Sequence, residues 1–122
     1  MRARVLLLGL CWGLLRPGMA AGGGFGDTFA LGTGTVVIAN TQSNSRWVPV
    51  SVLLRYAEPA TGSAEVRRVS QGHVFTLAAC TFTNVSSLIW VPSVDFPFLS
   101  GDALVVESSA TNGVVQVLRR GD

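Results

Sequence analysis

The sequence predicts an all-β protein, an antiparallel β-sandwich or small barrel of about seven short strands. Three observations carry that prediction. Short β-branched runs recur between Thr33 and Leu118, each closed by turn residues. No window in that stretch shows the 3.6-residue apolar period of a helix. Apolar residues make up 48 % of the 122-residue chain and charged residues 13 %, which supplies a core and excludes a charge-driven disordered chain.

Residues 1–20 read differently from the rest. Arg2 and Arg4 precede an uncharged apolar run over residues 5–15, and Gly18 and Ala20 are small residues placed for cleavage after Ala20. This is the three-part pattern of a secretory signal peptide, so a secreted or cell-surface protein beginning at Ala21 is expected. The run is too short to span a bilayer, which takes about 20 residues. A start at Met19 is the rival reading and gives an intracellular or virion-associated chain without the run. Cleavage would remove three of the nine arginines and turn the formal +2 charge slightly negative. It would also remove Cys11, leaving Cys80 as a single thiol in an apolar stretch, where a buried, inert side chain is expected.

Residues 21–32 are expected to form a flexible glycine-rich arm, because Gly22, Gly23, Gly24 and Gly26 lie within five residues. A single β domain is expected over residues 33–122. Residues 35–39 (TVVIA) form its first strand, and the polar segment 40–45 its first turn. Residues 47–56 alternate: Val48, Val50, Val52, Leu54 and Tyr56 on one face, Trp47, Pro49, Ser51, Leu53 and Arg55 on the other. Pro49 lacks a backbone donor, so the strand is at an edge or bulged there. Residues 58–62 are expected to turn. Residues 64–69 and 73–79 flank Ser70-Gln71-Gly72 as a hairpin with Gly72 at positive φ, and the Arg67-Arg68 pair breaks alternation as a bulge does. Phe75, Leu77 and Ala79 are expected inward, facing Val50 and Val52, so that Leu77→Ala costs more than Ser51→Ala. Residues 86–91 form a strand apolar on both faces. Residues 103–107 and 114–118 form the last pair, with Asn112-Gly113 turning between them.

The chemistry-bearing residues are sparse. One histidine, His73, has neither a nucleophile elbow nor a metal-ligand cluster around it. Asp95, Asp102 and Glu107 are not at the spacing of a calcium loop. The glycine clusters precede neither lysine nor helix, so no phosphate loop is indicated. No lysine and no dense basic run are present, which argues against nucleic acid. No enzyme, cofactor or metal site is therefore expected. Asn84-Val85-Ser86 is a glycosylation triplet, and Arg120-Gly121-Asp122 is read as a solvated tail.

The segment from Trp90 to Asp102 joins Pro92 and Pro97 with Phe96, Phe98 and Leu99, so it either plugs the end of the sandwich or meets a partner. Trp47, Leu53, Ile89, Phe96 and Phe98 are the candidate partner-contact residues. The leading expectation is a non-catalytic structural or interaction domain that forms a homo-oligomer or serves as a subunit of a surface, fibre or virion-type assembly. The alternative is a secreted carbohydrate-binding module that uses the aromatics as stacking platforms. Association through the outer face of residues 86–91 predicts that Ile89→Asp gives a folded monomer.

Overall fold

The computed structural model describes residues 25–41, 43 and 45–121. Six strands follow in order: β1 (Phe25–Ala30), β2 (Thr35–Ala39), β3 (Trp47–Ser70), β4 (His73–Trp90), β5 (Ala103–Ser108) and β6 (Gly113–Gly121). Every pairing is antiparallel, and no helix occurs among the described residues. The all-β antiparallel class is the one the sequence predicts. The signal-peptide segment, residues 1–20, lies outside the described residues. Part of the expected arm is ordered instead: Phe25–Ala30 pairs with β6 from Phe25↔Arg119 to Ala30↔Val114.

Six strands replace the expected seven because two pairs of runs are continuous. Residues 47–56 and 64–69 are both part of β3, and residues 73–79 and 86–91 are both part of β4. The expected turn at residues 58–62 is a bend within β3. There the β3–β4 register slips between Arg55 and Ala60 and again between Ala60 and Gly62. Asn84, at φ 54°, takes up the second slip on β4, where its N–H donates to Thr61 Oγ1 at 3.0 Å. Bulges of this kind turn a sheet corner without ending the strand.

The bend organises the topology. β4 runs along one edge of β3, while the other edge carries β6 on residues 47–56 and β5 on residues 64–69. β1 extends the β6 half and β2 extends the β5 half. One sheet is thereby curled so that its two halves share a core. Val52, Leu54, Leu88, Val115 and Val117 from the first half join Ile38, Val66, Phe82, Leu104 and Val106 from the second. Residues 103–107 and 114–118 do not pair with each other, contrary to expectation; each pairs with its own stretch of β3.

Two further bulges reassign the faces read from alternation. Pro49 opposes Arg119 and Ser51 opposes Leu118, so Val50 is an extra residue on β3. This bulge answers the missing donor of Pro49 and shifts the phase of the strand. Trp47, expected on the outer face, joins the core with Val52, Leu54 and Tyr56. Val50 is only half-buried, and Ser51 is buried. The second bulge adds Leu77 to β4, since Val66 opposes Ala78 and Arg67 opposes Thr76. A bulge at Arg67-Arg68 was read from the sequence; its extra residue is on the partner strand. Ala78, Cys80 and Phe82 turn inward as a result, Ala79 is exposed, and Phe75 is 52 % exposed beyond the end of the core. Leu77 still packs against the core, half-buried, but Ser51, expected outside, is buried, so the ranking of Leu77→Ala above Ser51→Ala loses the contrast it rested on.

The hairpin turn is as read: Ser70 pairs with His73, and Gln71 and Gly72 take φ values of 50° and 80°. Positive φ at both central residues defines a type I′ connection. Gly113, at the start of β6, has a different constraint. A Cβ there would run into the Arg55 carbonyl oxygen of the adjacent strand. The revised faces predict that Leu104→Ala, at a fully buried site, lowers stability by about 2–5 kcal/mol. Phe75→Ala, on an exposed side chain, should stay within about 0.5 kcal/mol. Urea midpoints of the two variants check the assignment, and a larger shift for Phe75→Ala would reverse it.

Candidate functional site

The loop that follows β4 returns to β3 through a small polar and aromatic cluster. Phe98 forms an isolated bridge with Trp47, with both backbone N–H groups donating across at 2.7 and 3.2 Å. The two rings stack with centroids 4.5 Å apart and planes 7° off parallel. The Arg68 guanidinium lies 4.9 Å from the Phe98 ring centre, and that of Arg119 lies 4.9 Å from the Trp47 ring centre. The cations find the negative ring faces, an arrangement stronger where water is thin. Arg119 also pairs with Asp27, which ties β1 to this end of the sheet.

Asp102 closes the cluster. Arg68 Nη2 donates to Asp102 Oδ2 at 2.8 Å, Ser70 Oγ to Oδ1 at 2.7 Å, and the Leu99 N–H to Oδ2 at 2.9 Å. Burial pushes the Asp102 carboxyl up, but the bonds from Ser70, Leu99 and Arg68, with the guanidinium charge, outweigh it and hold the group below the ordinary carboxylate range. Asn40 completes the support. Its Nδ2 donates to the Ser45 and Phe98 carbonyls at 2.8 and 2.9 Å, while the Asn40 backbone carbonyl accepts from the Gly101 N–H at 2.7 Å.

These contacts decide the fate of the candidate residues. Trp47 and Phe98 are 4 % and 0 % exposed and stack on one another, so neither offers an open platform. Phe96 is half-buried against the core, as a plug would be. Leu53 is half-buried on the opposite face, in register with Gln116 on one side and Ile89 on the other. Ile89 lies outside the core cluster yet is only 6 % exposed. An aspartate at Ile89 would therefore be buried in the isolated chain, and Ile89→Asp cannot separate loss of association from loss of folding. The structure brings Trp47 and Phe98 together and leaves Leu53, Ile89 and Phe96 apart from them.

Five of the seven acids are committed to arginines. Asp27 pairs with Arg119, Asp95 with Arg120, Asp102 with Arg68, and both Glu65 and Glu107 with Arg67. Among the described residues no group of three or more His, Cys, Asp or Glu side chains could hold a metal ion. His73 is exposed at the hairpin, with Phe75 tilted beside it at 6.4 Å. Sequence reasoning missed the Arg68–Asp102 pair. The available signal was Arg68 itself, two residues after the inward Val66 in an alternating run. Because folding lowers the carboxyl affinity of Asp102 for protons, its stabilisation is complete above the ordinary carboxylate range and is lost as pH falls through the lower folded value. Asp102→Asn should thus cost about 1.5–3 kcal/mol at neutral pH and leave a smaller acid-induced loss than wild type. Denaturant midpoints at neutral and acid pH test both parts; an unchanged acid slope would contradict the second.

No family model matches the chain, and the search of curated proteins found no match. Solved structures are similar to it. The Drosophila NLP core, described as giving insight into pentamer formation and histone binding, aligns with a TM-score of 0.49 at 13 % identity, over 81 % of this chain and 95 % of that one. The nucleoplasmin-like N-terminal domain of Drosophila FKBP39 aligns with a TM-score of 0.47 at 15 % identity, over 88 % and 95 %. Two expectations are corrected here. A carbohydrate partner loses its stacking platform to the Trp47–Phe98 pair, whose rings are buried against each other. The secreted or cell-surface setting is withdrawn as well: its basis, residues 1–20, lies outside the described residues, and the first neighbour is described by histone binding.

Proposed function

We propose that the chain is a non-catalytic β domain that works by associating with copies of itself. One observation carries the reading: its polar chemistry is used up internally while large apolar side chains stand in water. Five acids, Asp27, Glu65, Asp95, Asp102 and Glu107, are neutralised by arginines of the same chain. By contrast Val37, Val74, Phe75, Val94 and Leu99 are each at least 45 % exposed. Nucleophile, base and metal chemistry need groups left free to react, whereas association needs apolar area left free to be covered.

Self-association supplies cover for part of that area, Val74 and Phe75 on one strand, without another partner, and low net charge permits it. A full chain carries a formal +2, so copies approach with little repulsion. Sedimentation velocity across the micromolar range tests the reading. A mass of at least twice the 12.8 kDa chain is expected. A species that stays at the chain mass throughout would reject it.

A further inference from the structure

We infer that the free edge of β4 is the self-association surface, and that its occupant is β4 of a second copy, added antiparallel about a two-fold axis. The inference rests on the proposed self-association and assigns it a place. Among the described residues β4 pairs with β3 alone, so its other edge has no second strand beside it, and over residues 73–76 of this 18-residue strand every side chain is exposed. Edges of that length are ordinarily protected by charges or proline. β4 has none: HVFTLAACTFTNVSSLIW contains no Asp, Glu, Lys, Arg or Pro.

The same strand contributes two of the most exposed apolar side chains, Val74 at 60 % and Phe75 at 52 %. Exposure continues through Thr76, Ala79, Thr81 and Thr83, all small or β-branched. The other two edges fit less well. β1 carries Asp27 in its ion pair with Arg119, and β2 is five residues long. A strand without charge lies against its own copy with no like-charge opposition, and a two-fold axis satisfies both edges at once and leaves none open to a third chain. A second copy therefore suits this edge better than a charged peptide, which would find no counter-charge on β4.

The bulge at Leu77 limits the pairing. Either side of it the β3–β4 register is regular, over residues 73–76 and 78–82. Either stretch can pair in register with the second copy, and the kink between them interrupts a continuous edge.

The test combines substitution with hydrogen exchange. Val74→Lys together with Phe75→Lys places two charges at positions already open to water in the single chain, so folding should persist and the mass should fall by half. Val37→Lys on β2 and Val94→Lys in the loop serve as controls and should leave the mass unchanged. In wild type, β4 amides should gain protection as concentration rises through the association range, a readout that needs no variant. An odd number of subunits, an unchanged mass in the double variant, or β4 amides indifferent to concentration would each overturn the β4 assignment while leaving self-association standing. A wild type monomeric at every concentration would instead remove the underlying reading. Protection of β4 in that monomer would assign the edge to another segment of the same chain.

Discussion

The bend in the β3–β4 ribbon is the constraint on which the rest of the structure depends. With no helix available among the described residues, the inner face of the sheet can be covered only by the sheet itself. A 24-residue strand and its 18-residue partner are long enough to serve both walls, provided they turn a corner together. The register slips at Arg55, Ala60 and Gly62 provide that corner. Tyr56, just inside it, stacks on Phe82 of the opposite half with centroids 5.4 Å apart. Its hydroxyl shares a 2.7 Å hydrogen bond with Ser108 Oγ. The corner is thereby braced across the core, from the first half of β3 to β4 and β5.

At the other end of the sheet, closure falls to polar groups. The loop after β4 has no strand to pair with along most of its length, so its backbone groups need other partners. Asn40 and Asp102 provide them, and Arg68 and Arg119 cover the aromatic pair that sits between. Arginine suits both tasks because its planar fork bonds a carboxylate at the edge and stacks on a ring by its face. The chain has nine arginines and no lysine, and among the described residues Arg67, Arg68, Arg119 and Arg120 pair with carboxylates.

Much of the fold was legible in the sequence because alternation and turn chemistry are local signals. The Thr35–Ala39 strand and the Gln71-Gly72 turn came directly from residue type. What alternation could not show was phase. One extra residue at Val50 moved Trp47 from the outer face into the core, and one at Leu77 moved Phe75 out of it. A bulge leaves little trace in composition, since almost any residue can be the extra one. Pro49 and the Arg67-Arg68 pair marked the places without saying which strand would bulge. The reading of Trp47 as an outer-face contact has the same origin, since its face was assigned from the unshifted alternation. The free edge of β4 was not legible at all, because which strand lacks a second neighbour is a property of topology rather than of any segment.

The two-residue turn at Gln71 and Gly72 has a consequence for how the chain can change. It sets the pairing of the longest ribbon from its tip inward, so every later β3–β4 contact inherits its count. One residue inserted there would slide β4 by one position against β3, which β5 and β6 hold in place, and would carry Ala78 and Phe82 to the outer face. One residue inserted at the corner, where spare residues already sit, would be absorbed by an existing slip. Length variation in descendants of this chain should therefore collect at the corner and at strand ends, with the tip kept at two residues while its side chains drift.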